Sequence, residues 1–282
     1  MKETGLVVIQ AADALRDRLA QAERVAFVPT MGNLHAGHMS LVEIARRHGD
    51  CVVASIFVNR LQFGPNEDFD RYPRTLEADR IELEQRGVDV LFAPREHEMY
   101  PVPQLYRVQP PPIADELEGA FRPGFFHGVC TVVLKLLNIV APDAAYFGAK
   151  DFQQSRIIQQ LVRDLNVPVE VKIEPTAREA DGLALSSRNR YLSSEQRAMA
   201  PAIFRALQAL EARAAAGEKD VPQLEALLQA ELAAIPGAKV DYARIVAADT
   251  LQALARLDRP AVAAVAVFLG ETRLIDNLVI SG

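Results

Sequence analysis

The chain has 282 residues and a mass of 31.0 kDa, and its 50% apolar and 24% charged residues are typical of a globular protein. This composition excludes disordered, collagen-like and disulfide-rich classes. Because 31 Lys+Arg against 37 Asp+Glu give a net charge of −6, neither nucleic acid nor an anionic membrane is an expected partner.

The length exceeds what one hydrophobic core usually fills and predicts two domains, 1-176 and 177-282. The N-terminal segment lacks the apolar core of a signal peptide, and no apolar run is long enough to span a bilayer. These features predict a cytoplasmic protein. Cys51 and Cys130 lie in apolar runs without the spacing of a metal site, so we expect reduced, buried thiols.

In the first domain, apolar β-rich runs alternate with helical patterns. Uninterrupted Val, Ile and Phe runs are typical of strands covered on both faces, as in a parallel sheet. The alternation predicts an α/β fold with a doubly wound, Rossmann-like parallel sheet, in which ligands bind beyond the carboxyl ends of the strands. The predicted strands cover 24–29, 51–58, 88–93, 144–147 and 167–173, and the predicted helices cover 37–48, 75–86, 128–140 and 151–165.

The second domain is predicted to be a smaller α+β domain with a short antiparallel sheet, which acts as a lid. The Pro-rich stretch 101–112 is expected to be an extended excursion within the first domain. The predicted helices of the second domain cover 193–217 and 221–234, and its predicted strands cover 240–246, 261–268 and 272–280.

The strongest candidate site follows the first strand, where a Gly-containing turn leads into a helix that carries His35 and His38. A helix N-terminus binds anions through free N–H groups and its positive dipole, and histidines at this spacing can face one ligand. We interpret the segment as a phosphate site. The alternatives are a tight turn with two surface histidines, or a metal site, for which two histidines without a carboxylate or cysteine are a weak ligand set.

Three further loops carry candidate ligands. Asn59 and Gln62 are amides that suit a ligand with hydroxyls and a carboxylate, although amides that cap the loop backbone are an equal alternative. Lys150 and Asp151 suit a phosphate and a ribose hydroxyl, or else a solvated lysine beside a helix N-cap. Between 181 and 191, Ser and Arg residues suit a polyphosphate, or else form a solvated linker.

The chain resembles the pantothenate synthetase (pantoate–β-alanine ligase) family from about Val25 to Asn277, through six segments in the family's order. These are PTMGNLHAGH, SIFVNRLQFG, YPRTLEAD, ELEGAFRPG, FGAKDFQQ and ADGLALSSRNRYL, followed by TRLIDN near the end. The His-x-Gly-His and Ser-Ser-Arg-Asn elements also resemble the nucleotide signatures of a wider nucleotidyltransferase superfamily, which includes class I aminoacyl-tRNA synthetases.

The resemblance implies ATP-dependent condensation of (R)-pantoate with β-alanine to pantothenate, a step of coenzyme A biosynthesis. It implies a pantoyl-adenylate intermediate, release of AMP and pyrophosphate, Mg²⁺ with the ATP, no organic prosthetic group, and a homodimer. Its expected partners are therefore the small molecules pantoate, β-alanine and ATP.

By position, the resemblance also assigns roles to single residues. The expected catalytic residues are His35, His38, Lys150 and Arg188. The expected pantoate ligands are Met31, Asn59, Gln62, Tyr72 and Gln154. The expected ATP ligands are Met31, His35, His38, Gly148, Lys150, Asp151, Ala177, Leu185, Ser186, Ser187 and Arg188. Asp79, after YPRT, is the expected Mg²⁺ ligand.

The chain departs from the family pattern at Arg60, which replaces a proline, Ala149, which replaces a glutamate, and Phe125, which replaces a histidine. None of these is an assigned contact, so we expect an active enzyme. One rival hypothesis is a tRNA synthetase-like nucleotidyltransferase, which the net charge disfavours. The other is a nucleotide-binding sensor without activity, which the complete set of phosphate residues disfavours.

Overall fold

The computed structural model describes residues 5–65, 67 and 69–281. The chain divides into two compact units, the first within 1–149 and 154–175 and the second within 150–153 and 176–282. The short segment 150–153 belongs to the second unit, although the sequence before it belongs to the first. The domain limits drawn from the sequence, and the lid role of the second domain, stay predictions.

Six strands of the first unit form a parallel sheet: β1 Val7–Ile9, β2 Val25–Thr30, β3 Cys51–Ile56, β4 Val90–Phe92, β5 Ala144–Gly148 and β6 Glu170–Glu174. They lie in the order β1-β4-β3-β2-β5-β6, and each neighbouring pair is parallel. The four inner strands are mostly apolar and buried, as parallel strands covered on both faces must be. At one edge, β6 instead alternates Glu170, Lys172 and Glu174 with apolar residues.

Helices cover both faces of this sheet: α1 Ala12–Leu19, α2 Ala36–Ala45, α3 Leu76–Gln85, α4 Glu96–Met99, α5 Glu118–Phe121, α6 Phe125–Val140 and α7 Phe152–Asp164. Leucines, valines and isoleucines of α1, α6 and α7 form one apolar cluster with the sheet, and those of α2 and α3 form another. The predicted doubly wound architecture is confirmed.

The strand order reverses between β2 and β5, and ligands of open α/β sheets bind at the carboxyl ends of the strands at such a reversal. β2 pairs with β5 at Ala26 and Phe27. The pairing has ended before Pro29, so the N–H that Pro29 lacks costs no hydrogen bond on that side. The sequence PTMGNLHAGH therefore leaves the sheet beside a crevice.

The second unit is an antiparallel meander of β7 Ala238–Ala247, β8 Ala261–Leu269 and β9 Thr272–Ile280, packed against α8 Ser194–Met199, α9 Ala202–Ala215 and α10 Val221–Ala233. It is the smaller α+β unit with a short antiparallel sheet that the sequence predicted. β7 is longer than predicted and contains an irregularity between Val240 and Tyr242.

One sequence prediction needs correction, and some elements were not predicted. The single helix predicted over 193–217 is interrupted, since α8 ends at Met199 and α9 begins at Ala202. Pro201 cannot donate the hydrogen bond that would continue α8, and its ring crowds the carbonyl one turn earlier. In addition, β1 and α1 were not predicted from the sequence, because a three-residue strand is too short to show a periodic pattern.

Both cysteines are free and buried, as predicted. Burial raises the pKa of the Cys130 thiol to about 12. No helix in the described part of the chain has the length and apolar character needed to cross a membrane.

Candidate active site

The turn between β2 and α2 has a backbone that few residues can adopt. Gly32 has a φ of 81° and Asn33 a φ of 53°. A Cβ on Gly32 would lie 2.9 Å from Ile56 Cγ2 and 3.1 Å from Asp79 Oδ2. Glycine is therefore required both by the positive φ and by the lack of space.

The carboxylate of Asp79, on α3, holds this turn. Asp79 is buried, its Oδ1 accepts a hydrogen bond from Leu34 N at 2.9 Å, and its Oδ2 accepts from Asn33 N at 2.9 Å and from Thr75 Oγ1 at 3.0 Å. These contacts give Asp79 a structural role at the turn, and the magnesium role predicted for it stays a prediction. Within residues 5–65, 67 and 69–281, no group of three or more His, Cys, Asp or Glu side chains could hold a metal ion.

His35 and His38 lie together at the N-terminus of α2. His35 is the N-cap, and its Nδ1 accepts a hydrogen bond from Gly37 N at 3.1 Å. Nδ1 therefore carries a lone pair, so the proton of the neutral ring is on Nε2 and can be donated. The two imidazole centroids are 4.1 Å apart. Imidazole N–H groups at the positive end of a helix can bind phosphate oxygens.

A network of side-chain amides follows β3. Asn59 Nδ2 donates to Gln62 Oε1 at 3.0 Å and to Gly128 O, on α6, at 3.2 Å. Gln62 Nε2 in turn donates to Met31 Sδ at 3.2 Å. The structure thus brings Met31, Asn59 and Gln62 together. Asn59 also caps the loop, because its Oδ1 accepts from Leu61 N at 3.4 Å.

Helix α6 approaches this loop so closely that only glycine fits at position 128. A Cβ on Gly128 would lie 2.3 Å from Leu61 O and 2.5 Å from Gln62 N. Sequence reasoning did not assign a role to Gly128, because nothing in the apolar run around it shows that another loop contacts its backbone.

Other predicted residues of the first unit are placed less directly. Tyr72 is buried, with its ring edge-on to Phe63 at a centroid distance of 5.9 Å. Gln154 is half-buried in the first turn of α7, and its assignment rests on the resemblance. Arg60, the departure beside Gln62, points to Glu96 Oε1 at 3.4 Å.

A hairpin in the second unit places Ala177 beside Leu185. Leu185 N donates to Ala177 O at 2.9 Å, and Arg178 pairs with Ala184 across an antiparallel bridge. Gly182, with a φ of 96°, provides the chain reversal.

Strand β9 anchors this hairpin and the segment after β5. Arg178 Nη1 and Nη2 donate to the two oxygens of Asp276 at 2.7 and 2.8 Å, and the guanidinium lies 3.6 Å above the Phe204 ring. The next residue, Asn277, donates from Nδ2 to Lys150 O at 2.8 Å. The TRLIDN motif therefore has a structural role that the sequence did not reveal, and Arg178 was missed.

The remaining predicted nucleotide ligands lie in two short turns. Ser186 caps a 3-10 turn over Ser187–Tyr191, and its Oγ accepts from Arg188 N at 3.3 Å. Lys150 Nζ lies 3.7 Å from Asp151 Oδ1 in the turn after β5. Among the described residues other than its chain neighbours, none has an atom within 4 Å of a Cβ placed on Gly148, so its backbone can be approached closely.

Comparisons with known proteins find relatives that match nearly the whole chain. A family model described as pantoate-beta-alanine ligase matches residues 7–279. A crystal structure of pantothenate synthetase from Thermus thermophilus is similar, with 50% sequence identity, a TM-score of 0.92, and coverage of 96% of this chain and 98% of that chain. A structure of pantoate-beta-alanine ligase from Francisella tularensis, complexed with beta-gamma ATP and beta-alanine, has 36% identity, a TM-score of 0.79 and 97% coverage of both chains.

Proposed function

The chain belongs to the pantoate-beta-alanine ligase family, and from that premise we propose that it condenses (R)-pantoate with β-alanine through a pantoyl adenylate. The resemblance inferred from the sequence is confirmed. The observation that carries the proposal is the family match over residues 7–279, and it is supported by the Francisella tularensis relative, whose structure is complexed with beta-gamma ATP and beta-alanine.

The chemistry explains why ATP is needed. A carboxylate is a poor electrophile, and its direct condensation with an amine would have to expel oxide or hydroxide. In the proposed reaction, a pantoate carboxylate oxygen attacks the α-phosphorus of ATP and pyrophosphate leaves. The nitrogen of β-alanine, as the free amine, then attacks the acyl carbon. An amide bond forms, the acyl C–O bond breaks, the nitrogen loses a proton to solvent, and AMP leaves with the oxygen that came from pantoate.

The proposed nucleotide ligands include residues of the first unit and residues of the second unit. In the first unit, His35 and His38 donate to phosphate oxygens, supported by their position at the N-terminus of α2. In the second unit, Lys150, Ser186, Ser187 and Arg188 are proposed to bind phosphate oxygens, with Asp151 at the ribose and Ala177 and Leu185 as further contacts. In the first unit, Gly148 is also assigned to the ribose, and Met31 is a further contact. These donors stabilise the negative charge that develops as pyrophosphate leaves.

Pantoate is proposed to bind where Met31, Gln62 and Tyr72 lie, with Gln154 as a further contact. Amide groups suit its hydroxyls and carboxylate, and the apolar Met31 suits its geminal methyl groups. The network of Asn59, Gln62 and Met31 supports this placement because it orients an amide at the carboxyl end of β3.

Three further expectations belong to this proposal. Magnesium is expected to accompany ATP, held by the phosphates and by Asp79, the ligand that the resemblance assigns. The chain forms a homodimer, which analytical ultracentrifugation tests. It acts in the cytoplasm on pathway intermediates of coenzyme A biosynthesis, and fractionation of cells that express it tests this location.

An isotope experiment tests the adenylate directly. Pantoate labelled with ¹⁸O in its carboxylate should transfer one labelled oxygen to AMP, detected by mass spectrometry of the nucleotide. A label that appears in pyrophosphate, phosphate or water instead of AMP would contradict the pathway. Exchange of labelled pyrophosphate into ATP should require pantoate alone, and amino acids in its place test the tRNA synthetase-like rival.

The histidine pair gives a second test. His38→Ala should lower kcat about 10² to 10³-fold, the effect of losing one preorganised donor to developing charge. His48→Ala, on an exposed turn beyond α2, is the matched control. Equal activities of the two variants would remove His38 from the proposed phosphate site.

A further inference from the structure

We propose that Tyr100 is a positioning residue which fixes the orientation of the Gln62 amide, so that Gln62 presents N–H donors to pantoate. The inference rests on the proposed function, since it supposes that Gln62 contacts pantoate. It assigns a role to Tyr100, which the sequence analysis did not single out, and a different role to Asn59.

The orientation of the Asn59 amide follows from two backbone groups, one of which can only donate a hydrogen bond and the other only accept one. Leu61 N can only donate, and it lies 3.4 Å from Asn59 Oδ1. Gly128 O can only accept, and it lies 3.2 Å from Asn59 Nδ2. The protein itself therefore distinguishes the oxygen of Asn59 from its nitrogen. A flipped amide would place its NH₂ group against the N–H of Leu61 and its oxygen against the carbonyl of Gly128.

Tyr100 completes the hydrogen bonding of Asn59. The Tyr100 hydroxyl donates to Asn59 Oδ1 at 2.8 Å, and the second N–H of Asn59 Nδ2 goes to Gln62 Oε1 at 3.0 Å. Two lone pairs and two N–H groups are the whole capacity of an amide, so each one is used within the protein. Asn59 is only 1% exposed. It therefore acts on Gln62 and has no hydrogen bond left for a ligand.

The orientation passes on to Gln62. Because Gln62 Oε1 accepts from Asn59, the amide nitrogen Nε2 is the end that remains for a ligand, and its present partner is Met31 Sδ at 3.2 Å. A thioether sulfur is a weak acceptor. A carboxylate or hydroxyl oxygen of pantoate is a stronger acceptor and would replace it. The site thus selects an oxygen lone pair at this position and disfavours a donor.

Tyr100 is suited to holding this orientation permanently. Burial raises the pKa of its hydroxyl, so the phenol keeps its proton at any physiological pH. Its ring lies 5.9 Å from that of Phe57, and Lys135 Nζ lies 5.1 Å from its centroid. The ring cannot turn away without losing these contacts, and the hydroxyl therefore remains a donor to Asn59.

A double-mutant cycle tests the inference, with initial rates of pantoate-dependent pyrophosphate exchange as the readout. Tyr100→Phe keeps the ring and removes the hydroxyl, and it should raise the KM for pantoate about tenfold, the effect of one hydrogen bond, with the KM for ATP unchanged. Tyr106→Phe is the matched control, because Tyr106 is 88% exposed, and it should behave as the wild type.

The decisive comparison is made in a Gln62→Ala background. If Tyr100 acts through Gln62, the tenfold effect of Tyr100→Phe disappears there, because no amide is left to orient. If Tyr100 only stabilises the fold, its effect persists in that background and the inference is overturned. Thermal unfolding of each variant identifies loss of fold.

A second variant keeps the test valid if Tyr100→Phe fails to fold. Asn59→Asp is isosteric but places an acceptor opposite Gln62 Oε1, so the Gln62 amide should flip and pantoate KM should rise more than tenfold, again only when Gln62 is present. An Asn59→Asp effect that is the same with and without Gln62 would also overturn the inference. A folded wild type without pantoate-dependent exchange would instead overturn the proposed function, and this inference with it.

Discussion

The two units hold their candidate site loops by different means. In the first unit, the turn at 31–34 is held by a buried carboxylate that accepts backbone N–H groups, and the turn at 60–62 lies against the backbone of α6. In the second unit, the hairpin with Arg178 is held by an ion pair to β9. Contacts to backbone depend on shape and tolerate almost no substitution, whereas an ion pair depends on two side chains that can be changed separately.

The largest effect is expected where the backbone contact is closest. Gly128→Ala should lower kcat/KM for pantoate by about 100-fold or more, because the added Cβ would displace the turn that carries Gln62, and a shift of about 1 Å can cost this much. The control is Gly64→Ala, since a Cβ there would lie 3.7 Å from its nearest neighbour, Glu67 Cγ, which is an ordinary van der Waals contact. Steady-state kinetics with varied pantoate measures both, and a Gly128→Ala variant with wild-type kinetics would contradict the close approach.

A smaller loss is expected for Asp79→Asn, which leaves one of the donors at the turn facing an NH₂ group. The free energy of unfolding should fall by about 2 kcal/mol, and kcat should fall about 30-fold as the histidines lose their placement. Glu77→Gln, on the exposed surface of α3, is the control.

A magnesium titration of the Asp79→Asn variant separates two roles of this carboxylate. If Asp79 positions the turn, the magnesium dependence of the variant matches that of the wild type and added magnesium does not restore kcat. Recovery of activity at high magnesium would instead identify Asp79 as a metal ligand.

In the second unit, Asp276→Asn should raise the KM for ATP about tenfold and lower the free energy of unfolding by about 2 kcal/mol, because the guanidinium of Arg178 loses its charged partner. Pantoate KM should change little. Arg197→Ala breaks the exposed pair of Arg197 with Asp181 and should have a much smaller effect on stability. Equal effects of the two substitutions, measured by urea unfolding, would show that burial of Asp276 is unimportant.

The smallest effect concerns alkaline pH. Burial raises the pKa of Tyr100, Cys130 and Tyr146, all in the first unit. Below pH of about 8 these groups are protonated in both folded and unfolded chains, but as pH rises past their ordinary values of about 8.5 to 10, the unfolded chain ionises first and stability is lost. At a pH of about 10.5, just above those ordinary values, hydrogen exchange measured along the chain should show that the first unit opens more readily than the second. The reverse order would contradict this prediction.

The features that could be predicted from the sequence are those encoded by a local pattern of residues. Apolar runs of about six residues predicted the inner strands, and the spacing of His35 and His38 placed both at one helix start, because the period of a strand or helix is written in neighbouring residues. A proline within the predicted helix 193–217 was a local signal as well, and greater weight on Pro201 would have divided that helix correctly.

The contacts that hold the site could not be predicted, because their partners lie far apart in the chain. Arg178 and Asp276 are separated by 98 residues, and Asp79 lies 46 residues from Asn33. A single sequence shows that these residues are charged, but not which groups they meet. The same limit hid the backbone groups that Asp79 and Asn59 contact, and their assignments as a magnesium ligand and a pantoate ligand stay predictions.

The charged alternation along β6 has a consequence for how copies of this protein behave at high concentration. An open sheet edge is a template for another strand, and unprotected edges lead to aggregation. Lys172 pairs with Glu170 on this strand, and Glu174 follows, so an incoming strand would have to strip water from charged groups before it could bond. The charged side chains of β6 thereby disfavour the pairing of this edge with a strand of another molecule.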